Sequence, residues 1–261
     1  MEQLHSVLLG LLQGLTEFLP VSSSGHLVLA QSLIPGFHQP GVVFDVLLHA
    51  GTLLAVLVYF REDVAALLAC LGPRGDTVHR RLLGLLVVAT VPTGVIGVAF
   101  KDSLETLFHA PRAAAGALLV TGALLWASEA LARPRDPLER FGASRAVTVG
   151  VVQGLAIVPG ISRSGSTIAT AALLGVRGED AARFSFLLSI PAILGAVVLE
   201  SPHLRGLDGA QAASYLPGVA AAFVAGLWAI RFLMGAIRKR RFRWFALYCW
   251  ALGAGYLLLA G

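Results

Sequence analysis

The chain alternates long apolar runs with short charged segments. A helical span needs about 20 mostly apolar residues to cross roughly 30 Å of hydrocarbon. Runs of that kind lie at 42–60, 82–100, 113–131 and 217–236, and two more follow at 184–200 and 244–260. Six spans are therefore expected. Two other stretches behave differently: an apolar segment too short to span leads into a polar turn, around Glu17 to His26 and around Ser162 to Thr167, and then into another short apolar segment. This pattern predicts a re-entrant helix–loop–helix, whose irregular backbone is tolerated at membrane depth only where protein or a water-filled cavity surrounds it.

The two polar turns are copies. Gln13-Gly14-Leu15 recurs 140 positions later as Gln153-Gly154-Leu155, and Ser22, Ser24 and Gly25 recur without a gap as Ser162, Ser164 and Gly165. The register continues from Phe44, Leu47, Leu48, Leu54 and Val58 to Phe184, Leu187, Leu188, Leu194 and Val198. The expected architecture is a single all-α membrane domain over 1–261, with repeat halves 1–131 and 145–261 joined by a cytoplasmic linker, 132–144. Each half holds one re-entrant pair and three spans. Three is odd, so the second half enters from the opposite side, an inverted-topology repeat of the kind found in transporters.

Charge gives the orientation, because Lys and Arg concentrate on cytoplasmic loops. Segments 61–81, 132–145, 177–183 and 237–243 hold 15 of the 20 basic residues, and the opposite loops 35–41, 101–112 and 201–216 hold only Lys101, Arg112 and Arg205. Arg231 lies close enough to its span end to snorkel, and Arg163 sits in the second polar turn. Both termini then face outward, the first re-entrant pair dips in from outside and the second rises from inside.

Composition agrees: 56% hydrophobic and 13% charged residues exclude a soluble hydrolase. The net charge of +5 is strung over short loops, not gathered on one surface, so nucleic acid is not an expected partner. Cys70 and Cys249 are the only cysteines, which excludes a disulfide framework or a cysteine metal site. No cleavable leader is expected, since the first apolar run lacks a basic start and is interrupted by Gln13, Glu17 and Pro20. Small residues such as Gly116, Ala117, Gly122 and Ala123 allow close helix packing, within the chain or across a homodimer.

Glu17, His26 and Arg163 are ionisable groups at membrane depth, where charge is expensive and usually functional. Gln13 and Glu17, four apart, share a helix face and could offer oxygens to one cation such as Mg²⁺ or Ca²⁺, leaving room for phosphate oxygens. Ser22, Ser23, Ser24, Gly25 and His26 supply hydroxyls, a flexible residue and an imidazole directly before an apolar helix, whose N-terminal amides favour anions. His26 could serve as base for a serine nucleophile or attack phosphorus itself. In the partner turn, Gly160-x₄-Gly165-x-Thr167 mimics a nucleotide-binding loop, but Ser166 stands where the lysine belongs and no strand precedes it. Arg163 is the informative residue there, because a guanidinium grips phosphate oxygens in pairs. Asp45 and His49, also four apart, with Phe184, Ser185, Phe186 and Ser189 on the matching span of the second half, could at most support the site from behind, and packing is their expected role.

The segments Gln13-x₃-Glu17-Phe-Leu-Pro-Val-Ser-Ser-Ser-Gly-His26 and Pro159-Gly-Ile-Ser-Arg-Ser-Gly165 closely resemble the two signature motifs of the undecaprenyl pyrophosphate phosphatase family, the bacitracin-resistance type, of bacterial inner membranes. The resemblance covers the whole chain. It implies removal of the terminal phosphate from a C55 polyprenyl diphosphate, dependence on Mg²⁺ or Ca²⁺, and a site open to the periplasmic face. It further implies Glu17 as the main acid, Ser23 and His26 as nucleophile and base or the reverse, and Arg163 as phosphate clamp. Ser162, Ser164, Gly165, Ser166 and Thr167 would line the same pocket, and Gln13 would join Glu17 at the metal. Many members carry Glu at position 13, so this site has one formal charge fewer. The acid-phosphatase type of membrane phosphatase would need a His at 169, where this chain has Ala169. The remaining alternative is a transporter or flippase of a polyprenyl phosphate.

Overall fold

A computed structural model describes residues 3–33, 42–73, 75–133, 136–204, 209–238 and 242–259. The outer segment 35–41, Arg205, and the basic residues Arg74, Arg135 and 239–241 lie outside the described residues. Within them the chain is helical throughout, apart from turns and one isolated bridge between Asp136 and Val176.

Each expected span lies in a helix. These are α3 (Val42–Tyr59), α5 (Thr77–Ala99), α7 (Pro111–Leu131), α10 (Gly178–Leu204), α11 (Gly209–Arg238) and α12 (Phe242–Leu259). Five are long and apolar enough to cross a membrane alone, and α3 makes a sixth when joined to α4 (Arg61–Ala69), which bends away from it by 79°. The chain is thus a multi-pass, all-α membrane protein. The segments around the polar turns form two pairs of shorter helices, α1 (Gln3–Phe18) with α2 (Ser23–Leu33) and α8 (Ala143–Leu155) with α9 (Arg163–Leu173).

Two expected loops contain helices. Segment 61–81 holds α4 and the first turn of α5, which begins at Thr77 because the Asp76 carboxylate accepts from the amides of Val78 and His79 at 2.8 and 2.9 Å. That bonding, led by the His79 amide, holds the exposed Asp76 carboxyl below its usual range. Segment 101–112 holds α6 (Lys101–Phe108). Both are too short and too charged for hydropathy to mark them as spans.

The short helices dock by close backbone approach. α1 lies along α11, and α8 along α5. A Cβ on Gly10 would overlap the Gly218 carbonyl, and one on Gly14 would lie 2.5 Å from the Ala222 oxygen. In the other pair, a Cβ on Gly150 would overlap the Ala89 carbonyl, and one on Gly154 would lie 2.7 Å from Ile96 Cδ1. The same Gly-x₃-Gly spacing seats each helix, since only small residues let helix backbones approach this closely. Gly122 serves packing within the chain, 2.5 Å from the Trp250 ring for an added Cβ, whereas Gly116 meets nothing within 4 Å.

α3 packs on α11 and α10, and α10 on α5. The largest apolar core, including Phe18, Phe60, Phe141, Phe184 and Phe186, fills the space among them. α7 and α12 pack together and carry α2 and α9 against α7. The two turns are thereby held between the two helix groups.

Candidate active site

The two turns meet. Ser22 adopts φ +69, a left-handed conformation costing a non-glycine residue about 1–3 kcal/mol. Its Oγ accepts from the Gly25 amide at 3.3 Å and, across the interface, from the Gly160 amide at 3.1 Å. Gly160 has φ +93 and no room for a side chain, because a Cβ would run into the Ala114 carbonyl. Ser164 Oγ donates to the Leu19 carbonyl at 3.1 Å. A Cβ on Gly25 would lie 2.8 Å from Gly160 Cα. Thr121 of α7 braces the junction, donating to the Gly160 carbonyl at 2.8 Å and accepting from the Ser162 amide at 3.0 Å.

At the centre is Glu17, only 6% exposed at the end of α1. Its Oε1 accepts from Arg163 Nη2 at 2.5 Å. Its Oε2 accepts from Ser23 Oγ at 2.5 Å and from Gln13 Nε2 at 3.0 Å. His49 Nε2 stands 3.5 Å from the same oxygen. A buried carboxylate is tolerated because it is paired and hydrogen-bonded at both oxygens, and removing one partner of such a pair typically costs about 3–5 kcal/mol. Helix geometry explains the convergence: Gln13 and Glu17 are one turn apart on α1, while Ser23 and Arg163 each occupy the first position of their helices, where the turns touch.

Three buried polar atoms in this region have no partner: Arg163 Nη1, Gln13 Oε1 and Ser166 Oγ. Orphaned buried groups are costly, and in a native site they call for a ligand or ordered water. A free guanidinium donor, a free amide oxygen and a free hydroxyl suit a phosphate with its counter-cation.

His26 is buried, with Nδ1 at 2.7 Å from the Ser22 carbonyl and Nε2 at 2.8 Å from the Tyr248 hydroxyl. The Ser23 hydroxyl bonds to Glu17 and not to His26, which turns to α12. Several hydroxyls expected to bind phosphate hold backbone here. Ser162 Oγ caps α9 by accepting from the Gly165 amide at 3.0 Å. Thr167 Oγ1 donates to the Arg163 carbonyl at 2.8 Å and lies 2.5 Å from Ser185 Oγ. Ser24 Oγ is 3.4 Å from Ser22 Oγ and half-buried.

Packing, or at most support of the site from behind, is the role expected of Asp45 and His49. His49 in fact faces Glu17, and Asp45 Oδ1 accepts from Gln31 Nε2 at 3.1 Å. Their spacing of four on an otherwise apolar helix was the available signal. Thr121 and Tyr248 carried none, since each lies in a span remote from the motifs.

Among the described residues no three His, Cys, Asp or Glu side chains cluster as a metal site. A divalent ion that takes most of its ligands from phosphate and water needs less. The Glu17 carboxylate beside the unpartnered Gln13 Oε1 fits that sparser donor set. Cavities of about 410 Å³ near Arg177 and Arg238 and about 260 Å³ near Arg81 and Arg183 share no residue with this cluster. The site is defined by its polar network and not by void volume.

Comparison with known proteins gives this network its family. Residues 6–255 match the model of the family described as bacitracin resistance protein BacA. The chain belongs to the BacA family. Among its relatives, an undecaprenyl-diphosphatase of Syntrophotalea carbinolica is 50% identical over 265 residues, covering 100% of both chains. An undecaprenyl-diphosphatase of Desulfatibacillum aliphaticivorans is 45% identical, covering 99% of each. One of Methanobrevibacter smithii is 39% identical over 97% of this chain and 96% of its own. The BacA match takes in both turns and every helix that positions them.

Proposed function

We propose that this chain is an undecaprenyl-diphosphatase, releasing the terminal phosphate of a C55 polyprenyl diphosphate and returning the monophosphate carrier to cell-wall synthesis. The observation that carries the reading is Glu17 bonded at once to Ser23 of its own turn and to Arg163, 146 residues away. Full-length relatives of that name support the substrate.

In this mechanism Ser23 Oγ attacks the terminal phosphorus while its proton passes to Glu17 Oε2. The bond from phosphorus to the bridging oxygen breaks, and undecaprenyl phosphate leaves. Arg163 grips the phosphoryl oxygens through Nη1 and offsets the charge they develop. Water then attacks the phosphoserine, losing its proton to His26 Nε2, and Ser23 recovers its own proton from Glu17. Ser24, Ser166 and the N-terminal amides of α2 and α9 surround the phosphate. Gln13 and Glu17 would hold Mg²⁺ or Ca²⁺, which when bound neutralises diphosphate charge.

The same reading includes topology. Halves 1–131 and 145–261 form an inverted repeat, linked at 132–144 in the cytoplasm, in the inner membrane with the site open to the periplasm. The charge asymmetry supports this, as does an exchange of partners: α1 with α11 and α8 with α5 are equivalent pairs at the 140-residue offset.

The test is phosphate release from C55 diphosphate by purified protein in detergent with Mg²⁺ or Ca²⁺. Glu17→Ala and Arg163→Ala are each expected to lose about 10²- to 10³-fold or more in kcat. Wild-type rates in either variant would remove the basis of the mechanism. A flippase, in contrast, would move labelled polyprenyl phosphate across liposomes without releasing phosphate.

A further inference from the structure

Both nitrogens of His26 are held. Nδ1 lies against the Ser22 carbonyl, and a carbonyl only accepts, so Nδ1 carries the proton. Nε2 is left as the one nitrogen free for chemistry, and the Tyr248 hydroxyl meets it at 2.8 Å. The two rings are stacked, parallel within 3° with centroids 5.6 Å apart, so the phenol ring and its hydroxyl both bear on the imidazole. Tyr248 comes from α12 and is 47% exposed, whereas His26 is 6% exposed. A buried imidazole is thus held by a phenol that can swing away without opening the core.

A second hydroxyl joins the same two helices. Tyr256, two turns further along α12, lies with its OH 3.0 Å from Ser32 Oγ of α2. It ties α12 to α2 as Tyr248 does, but to a hydroxyl with no role in proton transfer. The fold therefore contains its own control.

We propose that Tyr248 is a positioning residue of the phosphatase reaction: its hydroxyl donates to His26 Nε2, sets the plane of the imidazole, and yields that nitrogen to the attacking water. The inference rests on the reading above, in which His26 takes the water's proton. Because Tyr248 works through the imidazole, its loss falls on turnover and not on lipid binding.

Tyr248→Phe keeps the ring and removes only the oxygen. With C55 diphosphate and Mg²⁺, kcat should fall about tenfold, the worth of one neutral hydrogen bond, with KM within about twofold. The ¹⁵N resonance of His26 Nε2 should move downfield as the nitrogen loses its donor. Tyr256→Phe should leave both readouts as in the wild type. Tyr248→Phe combined with His26→Ala should be no slower than His26→Ala alone. Equal losses in the two Phe variants, additive losses in the double variant, or wild-type turnover in Tyr248→Phe would each overturn the proposal. An inactive wild type would count against the phosphatase reading instead, and the nitrogen resonance would still report whether Tyr248 holds His26.

Discussion

The first and second polar turns share a plan and differ in what they carry. At the 140-residue offset Glu17 corresponds to Ile157, Ser23 to Arg163 and His26 to Ser166. One turn supplies acid, hydroxyl and imidazole, and the other supplies the cation. The backbones differ as well: the left-handed residue is Ser22 in one turn and Gly160 in the other, two places earlier in register. Gln13 bonds to Glu17 at 3.0 Å, whereas its counterpart Gln153 bonds to Thr93 Oγ1 at 3.1 Å. The two turns share a sequence pattern, and one asymmetric site lies where they meet. Complementary charges need a common boundary, and two identical turns would have set like beside like.

The comparison breaks most sharply at the backbone contact. Gly160→Ala forces a side chain into the Ala114 carbonyl at positive φ, so a loss of at least about 2 kcal/mol and of most activity is expected. Gly116→Ala, where nothing lies within 4 Å, should change neither thermal unfolding nor turnover.

The glutamines sharpen it further. Gln13→Met removes the amide oxygen offered beside Glu17, so the Mg²⁺ or Ca²⁺ concentration for half-maximal activity should rise about tenfold, within the 10- to 100-fold range for metal-site changes. Gln153→Met, its equivalent in the second half, should leave that concentration within about twofold, and a chelator should silence both variants. Equal shifts in the two would place the cation elsewhere.

The smallest effect lies at Asp76, whose counterpart Leu216 sits inside α11 and caps nothing. The Asp76 carboxyl is held below its usual range, so its contribution is present above the ordinary carboxylate range and is lost as pH falls through the lowered value. Asp76→Asn should therefore show a slightly flatter acid limb of unfolding temperature against pH than the wild type.

Much of this protein was legible in one dimension. Apolar run length marked the five helices long enough to cross a membrane alone and α3 of the bent α3–α4 pair, because a bilayer imposes the same minimum on each. The recurrence of Gln-Gly-Leu and Ser-x-Ser-Gly marked the two turns that meet, and ionisable groups within apolar surroundings singled out Glu17, His26 and Arg163. The helices α4 and α6 escaped, being too short and too charged for hydropathy to register.

The wiring of the site was decided only in three dimensions. That Ser23 gives its proton bond to Glu17 and not to His26 depends on how α1 leads into α2 through a left-handed Ser22. That Tyr248 holds His26 and His49 faces Glu17 depends on where α12 and α3 pack. A hydrogen bond between residues 222 positions apart leaves no trace in local periodicity or spacing. Hydrophobicity acts residue by residue and can be read along a chain, whereas the partner of a buried polar atom is set by which helices close around it.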